Sequence, residues 1–227
     1  MPVALSVAML LLLMSCSETP APNTDYADTP RERQSNAAVA ELFTSEGCSS
    51  CPPADALFAE LAEREGVIAL AFHVDYWNRL GWRDPYSQAA FSERQRAYAR
   101  NLDGRVYTPE LIVNGRVGLV GSRRHDVETA IADALKTASS ISLKLEASAE
   151  DGVVIARFIV NGVPDGAVLQ LALVERSTSQ DVSRGENRGR TLTHTNVVRV
   201  FDTVPAVSGE QTLLLPDDLS PSNTRVV

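Results

Sequence analysis

The stretch ELFTSEGCSSCPPADALFAEL (residues 41–61) sets Cys48 and Cys51 between an apolar run and an amphipathic segment. The run AAVAELFT, Ala37 to Thr44, has the length and texture of a buried strand. Beyond the cysteines, Pro52 and Pro53 suit a first helical turn, whose amide hydrogens have no intrahelical partner, and Ala54, Leu57, Phe58 and Leu61 then share one face. A CxxC pair at such a strand-to-helix junction has a physical logic. The first sulfur sits at the helix N-terminus, where free amides and the macrodipole stabilise a thiolate, and the second lies one turn in, near enough to close a disulfide. On this reading Cys48 attacks and Cys51 resolves.

Two other readings stand beside it. An inert bridge between residues three apart closes a tiny loop, which restrains little unfolded-chain entropy and makes a weak staple. A metal site needs more ligands than one CxxC supplies; His73 or Asp75 would have to complete a copper or zinc site, and no second CxxC or closely spaced His pair is present. No metal ligand set and no cofactor is assigned. Exchange also carries a condition: burial of both sulfurs with no opening toward solvent counts against it.

Outward from the motif, VIALAFHV (Val67 to Val74) is a second buried strand, DYWNRLGWRDPY an aromatic excursion, and residues 88–100 a helix. In TPELIVNGRVGLVG, two short apolar segments flank Asn114-Gly115, the pair best suited to a tight hairpin. Val127, Ala130, Ile131, Ala134 and Leu135 recur at the spacing of one helix face. The order is βαβαββα over residues 37–138. From Ile141 the pattern alternates, with Asp151-Gly152 as a hairpin turn, and the strands AVLQLALVE, TNVVRVFDTV and EQTLLLP follow, the first two separated by a polar loop. Residues 139–227 read as a smaller all-β region ending in NTRVV, a strand cut short of its hairpin partner.

If the first two strands are parallel and the hairpin antiparallel to them, one sheet edge gathers Cys48, His73 with Asp75, and Thr108-Pro109. Pro109 opens a strand, where a missing amide hydrogen does little harm and a cis bond is accessible. His73 and Asp75 share strand parity and leave one face; they fit a proton relay for Cys51, and His73 fits equally a satisfied core histidine. Trp77, with Tyr76, Trp82 and Tyr86, lines a peptide groove or anchors its own loop. The Thr108 backbone is placed to pair with an extended substrate strand. Glu46 reads as a solvated acid, and His125 and His194 as surface residues.

CxxC after strand one and Thr-Pro before the hairpin, on this element order, resemble the thioredoxin superfamily. More narrowly, ELFTSEGCSSCPPADALFAEL, LAFHVDYWNRLGWRDPYS and YTPELIVNGR resemble a bacterial family of exported thioredoxin-like proteins, domain of unknown function 1223. The likeness is dense from Val39 to Leu135 and looser beyond. It implies an α/β, thioredoxin-like fold with a cis Thr108-Pro109 bond flanking the dithiol. The family has no settled activity, so no activity is implied.

The chain has 227 residues, 44% hydrophobic, with net charge -8, which opposes attraction to nucleic acid or anionic lipid. The apolar stretch Val3 to Met14 is too short to span a bilayer and suits a secretory signal, residues 1–15, although no Lys or Arg precedes it. Leu13-Met14-Ser15-Cys16 resembles a bacterial lipoprotein signal with Cys16 as the lipidated residue; a plain cleaved signal, leaving a soluble periplasmic or secreted protein, is the alternative. Residues 16–36, polar and proline-bearing, read as a linker. The expected protein is a thiol-disulfide oxidoreductase of the cell envelope, lipid-anchored on the periplasmic side, whose partners are protein or peptide thiols and disulfides. A non-catalytic binding module with a structural disulfide and a copper carrier are the alternatives.

Overall fold

An almost unbroken apolar run needs cover on both faces, and β1 (Ala38–Thr44) has it. Leu42 points into a core shared with Leu57, Phe58 and Leu61 of α1 (Pro52–Ala62) and Val127 and Ile131 of α3 (Arg124–Lys136). Its neighbour Phe43 points the other way, toward Phe72 of β2 (Val67–His73) and Phe91 of α2 (Ala89–Asn101). Each such side chain, fully buried, contributes about 1.5–3 kcal/mol. The computed structural model describes residues 36–102 and 104–227. Among the described residues there are three α-helices and two sheets.

The remaining strands are β3 (Glu110–Val113), β4 (Val117–Val120), β5 (Ser142–Glu150), β6 (Val153–Asn161), β7 (Val168–Val182), β8 (Arg190–Pro205), β9 (Gly209–Leu214) and β10 (Thr224–Val226). The large sheet is mixed, in the order β10-β7-β8-β2-β1-β3-β4, and the small one is antiparallel, β5-β6-β9. This is an α/β fold. β1 and β2 run parallel with Thr44 opposite His73, and β3 runs antiparallel to β1 with Glu110 opposite Phe43. The two anticipated hairpin turns are present, with positive φ at Asn114 and Gly115 (49° and 64°) and at Asp151 and Gly152 (47° and 79°).

Residues 139–227 do not stand apart as one all-β region. β7, β8 and β10 extend the large sheet, while β5, β6 and β9 form the small one. The reason lies in β7, whose Ala172 and Val174 face the α2 core while Leu171 and Leu173 face Val154, Phe158 and Leu213 of the small sheet. A continuous apolar run marks a strand covered on both sides, and such a strand belongs between layers. The polar stretch after it is not a long loop. β7 and β8 stay paired from Glu175↔Val197 to Val182↔Arg190, leaving only residues 183–189 as the turn. β10 pairs with β7, Val226 opposite Leu173. No helix among the described residues is long and apolar enough to cross a membrane. Cys16, the signal and most of the 16–36 linker lie outside the described residues.

Candidate functional site

Cys48 and Cys51 form a disulfide with Cα atoms 5.5 Å apart. The helix starts later than the sequence suggests. Pro52 and Pro53 have no amide hydrogen, so the first helical bonds run from Ala54 N and Asp55 N to Cys51 O, at 2.8 and 3.1 Å, and Cys51 is the N-cap of α1. Cys48 belongs to the preceding turn, closed by Cys51 N donating to Cys48 O at 3.2 Å. Asp55, four residues after Cys51, lies on the same helix face one turn on. Thr44 Oγ1 donates to its Oδ1 at 2.8 Å.

The sheet edge gathers part of the expected set. Thr108-Pro109 is cis, Ser50 Oγ donates to Thr108 O at 3.5 Å, and Trp77 Nε1 donates to Thr108 Oγ1 at 2.8 Å. Trp77 also lies against the turn before the cysteines: a Cβ at Gly47 would stand 2.9 Å from Trp77 Cβ. Cys48, Trp77, Thr108 and Pro109 thus belong to one neighbourhood, reached because β1 and β2 end together where β3 begins.

His73 and Asp75 do not pair. β2 ends at His73, so strand alternation stops before Asp75, which bonds Ser92 (Ser92 Oγ to Oδ1, 2.6 Å). His73 is buried and its Nδ1 meets Asp84 Oδ2 at 2.7 Å. Its ring stands edge-on to that of His194, 4.6 Å between centroids. His194, expected on the surface, is only 2% exposed, because β8 runs beside β2 and turns this side chain inward. His194 Nε2 lies 3.2 Å from Glu46 Oε1 and its Nδ1 3.9 Å from Asp55 Oδ2. Glu46, expected in solvent, is 0% exposed: the chain folds back over it and Trp82 Nε1 donates to its Oε2 at 2.8 Å. His125 is exposed.

Two imidazoles and three carboxylates therefore share one buried volume under the CxxC turn, and neither His73 Nε2 nor His194 Nδ1 makes a hydrogen bond. Burial pulls the His73 pKa down, but the charge and hydrogen bond of Asp84, with Asp55 and Glu46 beyond, hold it above the usual imidazole value. Burial pushes Asp84 up, yet His73 and the amides of Glu46 and Tyr86 hold it below the usual carboxylate value. For Asp55 burial wins, and its pKa is raised. Both shifts favour the charged forms of the His73–Asp84 pair, beside a carboxyl whose neutral form burial favours.

Above this cluster, the turn 183–189 between β7 and β8 crosses the motif. Asn187 is fully buried; its Nδ2 donates to Glu46 O at 2.8 Å and Cys48 O at 2.9 Å, and its Oδ1 accepts from Arg190 Nη1 at 3.0 Å. Glu186 Oε2 accepts from Ser49 N at 3.0 Å and Ser49 Oγ at 2.6 Å, bonds that hold this carboxylate below its usual pKa. Cys48 and Cys51 are each 0% exposed, while Ser49 and Ser50 between them face solvent. Both sulfurs are thus closed off, a departure from the open dithiol that free exchange requires.

The sequence does not single out Asp55, Asp84, Glu186 or Asn187, and it places His194 on the surface. Asp55 carried a signal, a carboxylate on the buried face that holds Ala54 and Phe58. His194 carried another, the strand parity of buried Leu192.

No curated protein matches the chain. Among solved structures it is similar to a protein from Agrobacterium tumefaciens, known from X-ray crystallography, at 30% identity over 81% of this chain and 80% of that one, with a TM-score of 0.61. It also shares its fold with HBP35 of Porphyromonas gingivalis, at 16% identity over 86% and 69% of the two chains and a TM-score of 0.59. The family model described as protein of unknown function, DUF1223, matches residues 39–227, and the chain belongs to that family.

Proposed function

We propose that the chain is a thioredoxin-like thiol-disulfide oxidoreductase working through Cys48 and Cys51. The observation that carries this reading is the buried set Asp55, His194, Glu46, His73 and Asp84 beneath the CxxC turn, with one nitrogen of each imidazole unbonded. Burying such groups is costly, and a bridge that never opens has no use for them. In the reduced protein, the Cys48 thiolate attacks a substrate disulfide, one substrate sulfur leaves as a thiolate and takes a proton, and a mixed disulfide forms. Cys51 then loses its proton, attacks Cys48 Sγ and releases the second substrate sulfur. Two electrons pass from the cysteine pair to the substrate. Asp55, one turn from Cys51, is the group placed to handle the Cys51 proton, with His194 behind it. Trp77 and the Thr108 backbone, next to Pro109, flank the path of an extended peptide. A Cys51→Ser variant is expected to trap covalent partners that vanish in the Cys48→Ser, Cys51→Ser double variant; no trapped species under oxidising or reducing challenge would overturn the reading.

The zero exposure of both cysteines favours a second reading, a binding module with an inert bridge. A midpoint potential below about -300 mV, resisting glutathione, selects it. Among the described residues no three His, Cys, Asp or Glu side chains are grouped to hold a metal ion, so the copper-carrier alternative gains no support here.

The N-terminal sequence supports placement in the bacterial envelope on the periplasmic side, anchored through lipid on Cys16. Labelled fatty acid is expected to enter the full chain and not its Cys16→Ser variant; equal labelling would sink the assignment.

A further inference from the structure

Resting on the exchange reading above, we propose that the turn 183–189 is a latch that regulates the dithiol: it must lift before any thiol reaches the Cys48–Cys51 disulfide, and Asn187 and Glu186 set how often it does.

The latch has two unlike fastenings. Asn187 is the inner one, wholly buried, with both donated bonds going to backbone oxygens of the motif, one of them on Cys48 itself. Its remaining acceptor is taken by Arg190, so the side chain has no other task than joining the turn to the segment 46–48. Glu186 is the outer one, exposed to water, and its carboxylate holds both the amide and the hydroxyl of Ser49, the residue right after Cys48. Just before Glu186 the turn passes over Trp82; a Cβ at Gly185 would stand 3.2 Å from Trp82 Cβ. The base of the turn is fixed, since Gly189 N donates to Val182 O at 2.7 Å and both strands belong to the large sheet. The body on which the latch swings therefore stays in place while seven residues move. Charge-assisted bonds such as those of Glu186 are strong, yet they are exposed here, so water and competing donors can replace them.

The chemistry that the latch holds back is a two-electron exchange. A dithiol's thiolate attacks one sulfur of the pair, the S–S bond breaks, and the other sulfur leaves as a thiolate and takes a proton. The dithiol's second thiol then gives up its proton and attacks the first, the mixed disulfide breaks, the remaining protein sulfur leaves as a thiolate and takes a proton, and the dithiol departs as a cyclic disulfide. With neither cysteine exposed, the attack waits for opening.

The test uses the oxidised full chain and dithiothreitol, with freed thiols captured by alkylation and counted by mass. The wild-type rate should level off at high dithiothreitol because opening limits it. Glu186→Ala should raise that ceiling by about tenfold, and Glu186→Gln by less, in line with loss of charge-assisted bonding. Asn187→Ala should raise it further; if that variant does not fold, the two Glu186 variants, changed only at the surface, decide the matter, with thermal melts confirming that they fold. Reduction of both Glu186 variants at the wild-type rate, while the wild type itself is readily reduced, overturns the latch and leaves the exchange reading standing. If no folded form accepts electrons at all, the exchange reading falls and the latch falls with it.

Discussion

Two buried polar groups stand on this sheet and are built on opposite plans. Around Glu41 of β1, both carboxylate oxygens are bonded: Arg94 Nε and Nη2 grip the carboxylate at 2.6 and 2.8 Å, Tyr98 OH donates to it at 2.6 Å, and Gln170 Oε1 accepts from Arg94 at 3.0 Å. The guanidinium lies over the rings of Phe72, Tyr98 and Phe201, at 5.4, 5.2 and 4.5 Å. Under the cysteines, by contrast, two imidazoles each keep a nitrogen out of any hydrogen bond, and Asp55 resists ionisation. A satisfied network ties α2 to the sheet; the other leaves two buried ring nitrogens without a hydrogen bond. Buried polar side chains thus tie elements together in one place and, on the exchange reading proposed above, supply proton sites in the other.

The largest expected effect breaks the first group. Glu41→Ala strands the Arg94 charge and should cost about 3 kcal/mol in urea denaturation, with disulfide reduction kinetics unchanged. A loss under about 1 kcal/mol would erase the contrast. Next, Asp55→Asn should leave stability unchanged or raised, since no buried carboxyl is left to ionise, yet slow resolution of a trapped mixed disulfide by about a hundredfold. Equal resolution rates would make Asp55 structural.

A pH series sharpens the comparison further. His73 is raised, so its contribution to stability is complete below the ordinary imidazole pKa and is lost as pH rises through the folded value. Asp84 is depressed; its contribution is present above the ordinary carboxylate pKa and is lost as pH falls through the folded value. Asp55, raised by burial, helps the fold while protonated, complete below the ordinary carboxylate pKa and fading as pH rises through its folded value. Stability should therefore decline on the alkaline side, and His73→Gln should flatten that slope by up to about 1.4 kcal/mol per pH unit. Parallel curves for the two proteins would remove His73 from the charged pair. Smallest, Gly47→Ala should cost about 1 kcal/mol in thermal unfolding by pressing on Trp77, and a neutral result would mean that the turn yields freely.

Local pattern carried the first half of the fold into view. The run before the cysteines, the prolines after them, Asn114-Gly115 and the position of Pro109 each act through a few neighbouring residues, so strand, helix and hairpin were readable, and with them the meeting of Cys48 with Thr108 and Pro109. The second half hid for the opposite reason. Val174 and Leu173 look alike in sequence, yet one covers the α2 core and the other the small sheet, and only β8 pairing beside β2 settles which. His73 was recognised as a polar residue in an apolar run, but its partner Asp84 came from the aromatic excursion and its neighbour His194 from 121 positions on, since 194 - 73 = 121. Glu186 and Asn187 left no trace, because a polar turn between glycines reads the same whether or not it rests on something.

The strand order has a consequence in time. β2 borders β1 on one side and β8 on the other, so until residues 190–205 have taken their place β2 has one unpaired flank. During that interval the cysteine turn has neither the 183–189 turn nor His194 beside it. Until the late hairpin is in place, the motif lacks the bonds that Asn187 makes to Cys48 O and Glu186 to Ser49 N.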